Sequence, residues 1–148
     1  MRIIIQRVKK ACVKVDNKIV GQIGEGALVF FASHKEDTDK QIAWLTNKFV
    51  NLRMFMDEKD KMNLSLLEIK GEVLIVPQFT LYANCIQGRR PSFTDAMTPK
   101  KAKIFFEKFV DEVKKEIPYV QTGIFAAKME VDLLNFGPVT LIIDAKTF

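Results

Sequence analysis

Thr80 is the obvious side-chain nucleophile for an ester, in the segment Val76-Pro77-Gln78-Phe79-Thr80-Leu81. A threonine hydroxyl attacks an ester or amide only when a base takes its proton. None stands beside it, since Glu72 and Asp95 are near only in sequence. As a β-branched residue, Thr80 also reads as an ordinary strand position. The main chain offers a second route. Pro77 donates no N–H and suits a strand edge, bulge or end. The N–H groups of Phe79 and Thr80 would then be free of the ladder to hold an oxyanion, with Gln78 orienting a substrate. A second segment, Asn135-Phe136-Gly137-Pro138-Val139-Thr140, separates the apolar runs 129–134 and 139–144. Gly137-Pro138 is a stiff joint, at the one kind of peptide bond where cis is cheap. It reads as a tight hairpin turn, or as a device that aims a carbonyl oxygen at a ligand.

Other chemistries find little support. His34 is the only histidine, and nothing near it in sequence looks like a triad partner. Cys12 and Cys85 make neither a disulfide framework nor a metal site. A zinc site needs about three or four suitable ligands, and no such cluster is visible. The expectation is therefore no metal and no cofactor. With 48% apolar and 28% charged residues, the 148-residue chain is expected to be one soluble globular domain, 1–148. No apolar run approaches the roughly 20 residues of a membrane helix, and the N-terminus lacks a signal-peptide pattern. A cytoplasmic protein with no membrane partner is expected. The net charge of +5 favours an anionic partner without identifying one.

The positioning elements follow from periodicity. Residues 2–9, 11–15 and 18–23 read as strands, with Asp16-Asn17 as a turn. After the break at 24–26, Ala27 to Ser33 is a continuous apolar run, as in a strand buried on both faces. Thr38-Asp39-Lys40-Gln41 has the form of a capping box and opens a helix over about 38–52. Met62–Leu67 is a short apolar segment, and 72–82 reads as a long strand broken at Pro77. Gln87–Pro91 is a loop. Thr98-Pro99 starts a second helix whose Phe105, Phe106 and Phe109 face the core, and Pro118 stops it. Residues 119–124 are irregular or a short strand, and two strands flank the Gly-Pro joint. Strands, helix, strands, helix, strands predicts an α+β fold, mainly antiparallel, with a barrel-like sheet packed on two helices.

The two singled-out segments together resemble the D-aminoacyl-tRNA deacylase (D-tyrosyl-tRNA(Tyr) deacylase) family. That family carries Ser-Gln-Phe-Thr-Leu and Asn-x-Gly-Pro-Val-Thr motifs. Further matching segments run along nearly the whole chain: Met1–Val8, Asn51–Arg53, Met62–Leu67 and Gly88–Phe93. The resemblance implies a homodimeric hydrolase of the ester in D-aminoacyl-tRNA, releasing D-amino acid and tRNA for chiral proofreading; action on glycyl-tRNA stays open. It implies a site of main-chain atoms around Gln78, Phe79 and Thr80, helped by the substrate's own ribose hydroxyl. It implies that Gly137-Pro138, joined by a cis bond, enters the partner's pocket to meet the α-amino group and exclude L side chains. Phe125 and Met129 match positions near the adenosine pocket, and Arg7 matches the residue that steadies the Gly-Pro loop.

Two departures stand out. Pro77 replaces the usual serine, removing a hydroxyl and an N–H. Related deacylases with looser chirality have Pro-Gln-Ala-Thr-Leu here, but Phe79 keeps this chain with the main family. Ala32-Ser33-His34-Lys35 replaces a glycine-containing stretch, with no functional account from sequence. Two rival readings remain: a threonine-nucleophile hydrolase of a small ester or amide, and a non-catalytic RNA-binding module. The latter lacks an aromatic-glycine signature and a dense basic stripe.

Overall fold

The computed structural model describes residues 1–86 and 88–145, so Gln87 of the predicted loop and the last three residues lie outside the description. Strand β1 (Arg2–Val15) is the spine of the sheet. Its first half pairs antiparallel with β3 (Gly26–Ala32) and its second half with β2 (Lys18–Ile23). Along its other edge runs β8 (Glu130–Asp144), from Arg2↔Asp144 to Lys14↔Glu130. The expected strands 2–9 and 11–15 are thus one strand, whose register against β8 shifts between Gln6 and Lys10.

Beyond β3 the pairing turns parallel, first to β6 (Glu72–Pro77) and then to β7 (Val120–Thr122). β2 packs back against β6 and β7, so the sheet curls into a nearly closed barrel. β3 and β6 are buried along almost their whole length, as the uninterrupted apolar run 27–33 requires. Strands β4 (Phe55–Met56) and β5 (Met62–Leu64) form a small separate hairpin.

Two apolar clusters hold this together. Inside the curl lie Val8, Val13, Leu28, Leu74 and Val76. On the outer face, Ile3, Ile5, Phe31 and Ile75 meet helices α1 (Lys40–Val50) and α2 (Pro99–Glu116) through Leu45, Phe49, Phe109 and Val113. Each such side chain contributes about 1.5–3 kcal/mol by leaving water. α1 is shorter than the predicted 38–52. Gln41 Oε1 accepts the Thr38 N–H at 3.0 Å, but it also takes the Thr38 hydroxyl at 2.8 Å. The hydroxyl therefore does not cap the helix, and the first turn begins at Lys40. A reciprocal Ser65–Glu68 pair, missed in the apolar reading of 62–67, closes the turn after β5: Ser65 N–H donates to Glu68 Oε2 at 2.7 Å and Glu68 N–H to Ser65 Oγ at 3.3 Å. No described helix is long and apolar enough to cross a membrane.

Candidate functional site

The strand expected over 72–82 stops at Pro77, because the chain leaves the sheet there. Gln78 N–H still donates to Phe31 O at 2.8 Å, and Phe79–Tyr82 then coil into a single 3₁₀ turn. The N–H groups of Phe79 and Thr80 open that turn and donate to no described residue. They are free because the first amides of any helical turn lack partners, not because Pro77 interrupts a ladder. Arg2 pins the turn, donating from Nη1 to Leu81 O at 2.8 Å while Nη2 pairs with Asp144 at 2.6 Å. Burial, followed by Asp37 and Asp144, pushes the Tyr82 hydroxyl pKa above its ordinary value, so it stays protonated. Thr80 Oγ1 accepts a hydrogen bond from Gln78 Nε2. Its described neighbour is thus a donor, not a base.

Gln78 and Phe79 stand at a cavity of about 580 Å³. Phe125 and Met129 form another wall, and α2 contributes Pro99, Ala102 and Phe106. Gly123 makes room for Met129: a Cβ there would stand 2.6 Å from Met129 Sδ. Phe79, 56% exposed, meets Phe93 edge-on at 5.0 Å. None of the described side chains lining this cavity is ionisable. His34 lies outside the lining, against the Tyr82 ring at 5.2 Å. No group of three or more metal-ligating side chains occurs among the described residues, and Cys12 and Cys85 are free thiols.

Gly137, Pro138 and Arg7 are elsewhere. In β8 the register passes from Val8↔Asn135 to Gln6↔Thr140, so residues 136–139 bulge from the sheet opposite Arg7. The Gly137-Pro138 bond is cis. Arg7, 4% exposed, donates from Nε to Phe136 O at 2.8 Å and from Nη1 to Met54 O at 2.7 Å. Asn135 closes the bulge from inside, accepting Val139 N–H at 2.9 Å and donating to Val139 O at 3.1 Å. At φ +137°, Gly137 occupies a region that side chains avoid, and a Cβ would sit 2.7 Å from Arg7 Nη2. The bulge is exposed at Phe136, Gly137 and Pro138, and it does not line the cavity of its own chain.

The chain therefore gathers Gln78, Phe79, Phe125 and Met129 around one space, with Thr80 adjoining. It holds Gly137-Pro138 on a separate, braced projection. Ser33, which sequence reasoning noted without a role, lines the same cavity. Its signal was only a departure from an expected pattern.

Comparison with known proteins finds similar chains and folds. Residues 4–144 match the family model described as D-Tyr-tRNA(Tyr) deacylase. The D-aminoacyl-tRNA deacylase of Aquifex aeolicus is 56% identical over 146 residues, 99% of each chain. Among solved structures, the c-Myc DNA Unwinding Element Binding Protein superposes with a TM-score of 0.94 at 33% identity, covering 99% of this chain and 100% of its own. A probable eukaryotic D-amino acid tRNA deacylase shares the fold, with a TM-score of 0.81 at 19% identity over 96% of this chain and 97% of its own.

Proposed function

Since the chain belongs to the D-Tyr-tRNA(Tyr) deacylase family, we propose that it hydrolyses the ester of D-aminoacyl-tRNA, releasing the D-amino acid and tRNA. The observation that carries the mechanism is the cavity without an ionisable lining side chain among the described residues, with two amides beside it that donate to none of them. Water attacks the ester carbonyl, and the Phe79 and Thr80 N–H groups take the developing oxyanion. The ester oxygen leaves as a ribose hydroxyl, and the neighbouring ribose hydroxyl assists the proton transfers. Phe125 and Met129 hold the terminal adenosine, and Gln78 orients the acyl group.

The Gly137-Pro138 projection serves a second copy of the chain. Two observations support this. The projection is braced by Arg7 and Asn135 yet lies off its own cavity. Furthermore, among the described strands β8 pairs only with β1, leaving a long second edge with exposed Leu134, Phe136 and Ile142. Such an apolar edge is normally covered. In the dimer a Gly137-Pro138 carbonyl meets the substrate's α-amino group and leaves no room for an L side chain. A rigid atom can reject the wrong isomer more strongly than a pocket selects a side chain. Glycyl-tRNA has no side chain to exclude and is accepted on the same reading. The whole of 1–148 acts as one deacylase domain in the cytoplasm.

The threonine-nucleophile reading is disfavoured, because Gln78 offers Thr80 a donor rather than a base. The test is incubation with matched D- and L-aminoacyl-tRNA. The D ester should decay while the L ester persists, and equal decay of both would overturn the proposal.

A further inference from the structure

Ser33 carries one of two buried hydroxyls that have no hydrogen-bond partner among the described residues; the other, on Thr46, is in α1 and away from the cavity. A buried hydroxyl left unpaired is costly, and each such group in a folded protein calls for a cause. Ser33 is 4% exposed and lines the 580 Å³ cavity. Its backbone is fixed, because the chain beyond β3 zips against residues 95–97: Met97 N–H donates to Ser33 O at 2.9 Å and Lys35 N–H to Asp95 O at 3.0 Å. Two residues earlier, Phe31 stacks on Phe109 at 4.8 Å on the side facing α2. Strand alternation puts Ser33 on that same side, beside the first turn of α2, where Thr98, Pro99 and Ala102 also line the cavity.

Most of the lining is apolar, with Phe125 and Met129 flanking the space. A purine enclosed there would lose water from the donor and acceptor atoms of its edge, at a cost unless the protein replaces them. The polar side chains at the cavity are few. Gln78 is engaged with Thr80, and Thr98 is exposed. A serine hydroxyl both donates and accepts, as does the adenine edge with its exocyclic amine beside a ring nitrogen. The orphaned hydroxyl and the orphaned edge complement each other. We infer that Ser33 Oγ hydrogen-bonds the edge of the substrate's terminal adenine and so helps this chain select and seat the 3′ end of tRNA. The inference rests on reading the cavity as the adenosine site, and it gives one residue of the segment Ala32–Lys35, Ser33, a function.

The test compares wild type with Ser33→Ala, using adenosine 5′-monophosphate and purine riboside 5′-monophosphate, which lacks the exocyclic amine, as competitors of D-aminoacyl-tRNA hydrolysis. Wild type should be inhibited more strongly by the adenosine nucleotide. Ser33→Ala should weaken that inhibition roughly fivefold, abolish the preference, and raise the KM for D-aminoacyl-tRNA by a similar factor rather than lower kcat. The melting temperature without ligand should hold or rise, since an unpaired group is removed. Equal inhibition of both proteins by both nucleotides would refute the role of Ser33 alone. A lowered melting temperature with the preference intact would make Ser33 structural and also overturn the inference. No competition by either nucleotide with either protein, while D-aminoacyl-tRNA is still cleaved, would overturn the adenosine site and the inference with it. No cleavage of D-aminoacyl-tRNA at all would instead overturn the proposed activity.

Discussion

Replacing Arg7 by methionine tests how the Gly-Pro projection is held. Methionine is unbranched and fits irregular core space, but it donates no hydrogen bond. The change strips the donors from Phe136 O and Met54 O while keeping much of the apolar stem. A hydrogen bond to a charged group contributes about 1.5–3 kcal/mol, so two of them set an upper range of about 3–6 kcal/mol. The Met54 contact is buried and should cost its full share, whereas the part-buried Phe136 carbonyl can recover water. A net loss of about 3 kcal/mol is expected. With a urea slope of about 2 kcal/mol/M, the unfolding midpoint should fall by about 1.5 M, measured at one fixed protein concentration because the proposed dimer would add to stability. The projection also loses one of its two braces. Misplacement by about 1 Å can cost a hundredfold in rate, so D-aminoacyl-tRNA cleavage should drop at least about tenfold in protein that is still folded. An unchanged midpoint, or a lowered midpoint with full activity and full discrimination against the L ester, would refute the idea that Arg7 positions the joint.

Thr80→Val should retain D-aminoacyl-tRNA hydrolysis within about tenfold, or about 1.4 kcal/mol of barrier, because the valine keeps its amide N–H; complete loss would restore the covalent threonine mechanism. Ile142, 66% exposed on the free side of β8, should tolerate lysine without unfolding, yet the variant should sediment as a monomer and lose activity, whereas wild type should sediment as a dimer at micromolar concentration. Acid should destabilise the fold in one direction. The Lys61 backbone N–H in particular lowers the Asp57 pKa, the Ser65 N–H lowers that of Glu68, and Lys35 lowers that of Asp95. Carboxylates with lowered folded pKa values lend stability above about pH 4, which is lost as pH falls through those values. Urea midpoints should therefore drop below about pH 4, and a midpoint that is flat down to pH 3 would contradict the assignment.

The sequence by itself determined most of the local structure, because local structure follows from period and composition. The uninterrupted run 27–33 meant burial on both faces, and β3 is buried on both. The three-and-four spacing of Phe106, Phe109 and Val113 meant one buried helix face, and those residues are in the core. The motifs 77–81 and 135–140, read with the ordered segments around them, also carried the family. Tertiary structure alone decided the rest, because it depends on partners distant in the chain. Residues 72–82 hold mostly β-favouring types on both sides of Pro77, but the neighbouring strand β3 ends at Ala32, and the chain turns into a 3₁₀ coil that exposes two amides. Arg7 falls in the same strand phase as the buried Ile3 and Ile5, and the sequence alone does not say what a charge would meet on that face. Only the bulge of β8 across from it, 129 residues away for the Phe136 carbonyl, makes its buried charge a brace. Ser33 is one more polar residue at the end of an apolar run until α2 and the 95–97 segment close over it and leave its hydroxyl without a partner. Hydrogen-bond satisfaction is a property of the assembled neighbourhood, and a sequence records only one side of it.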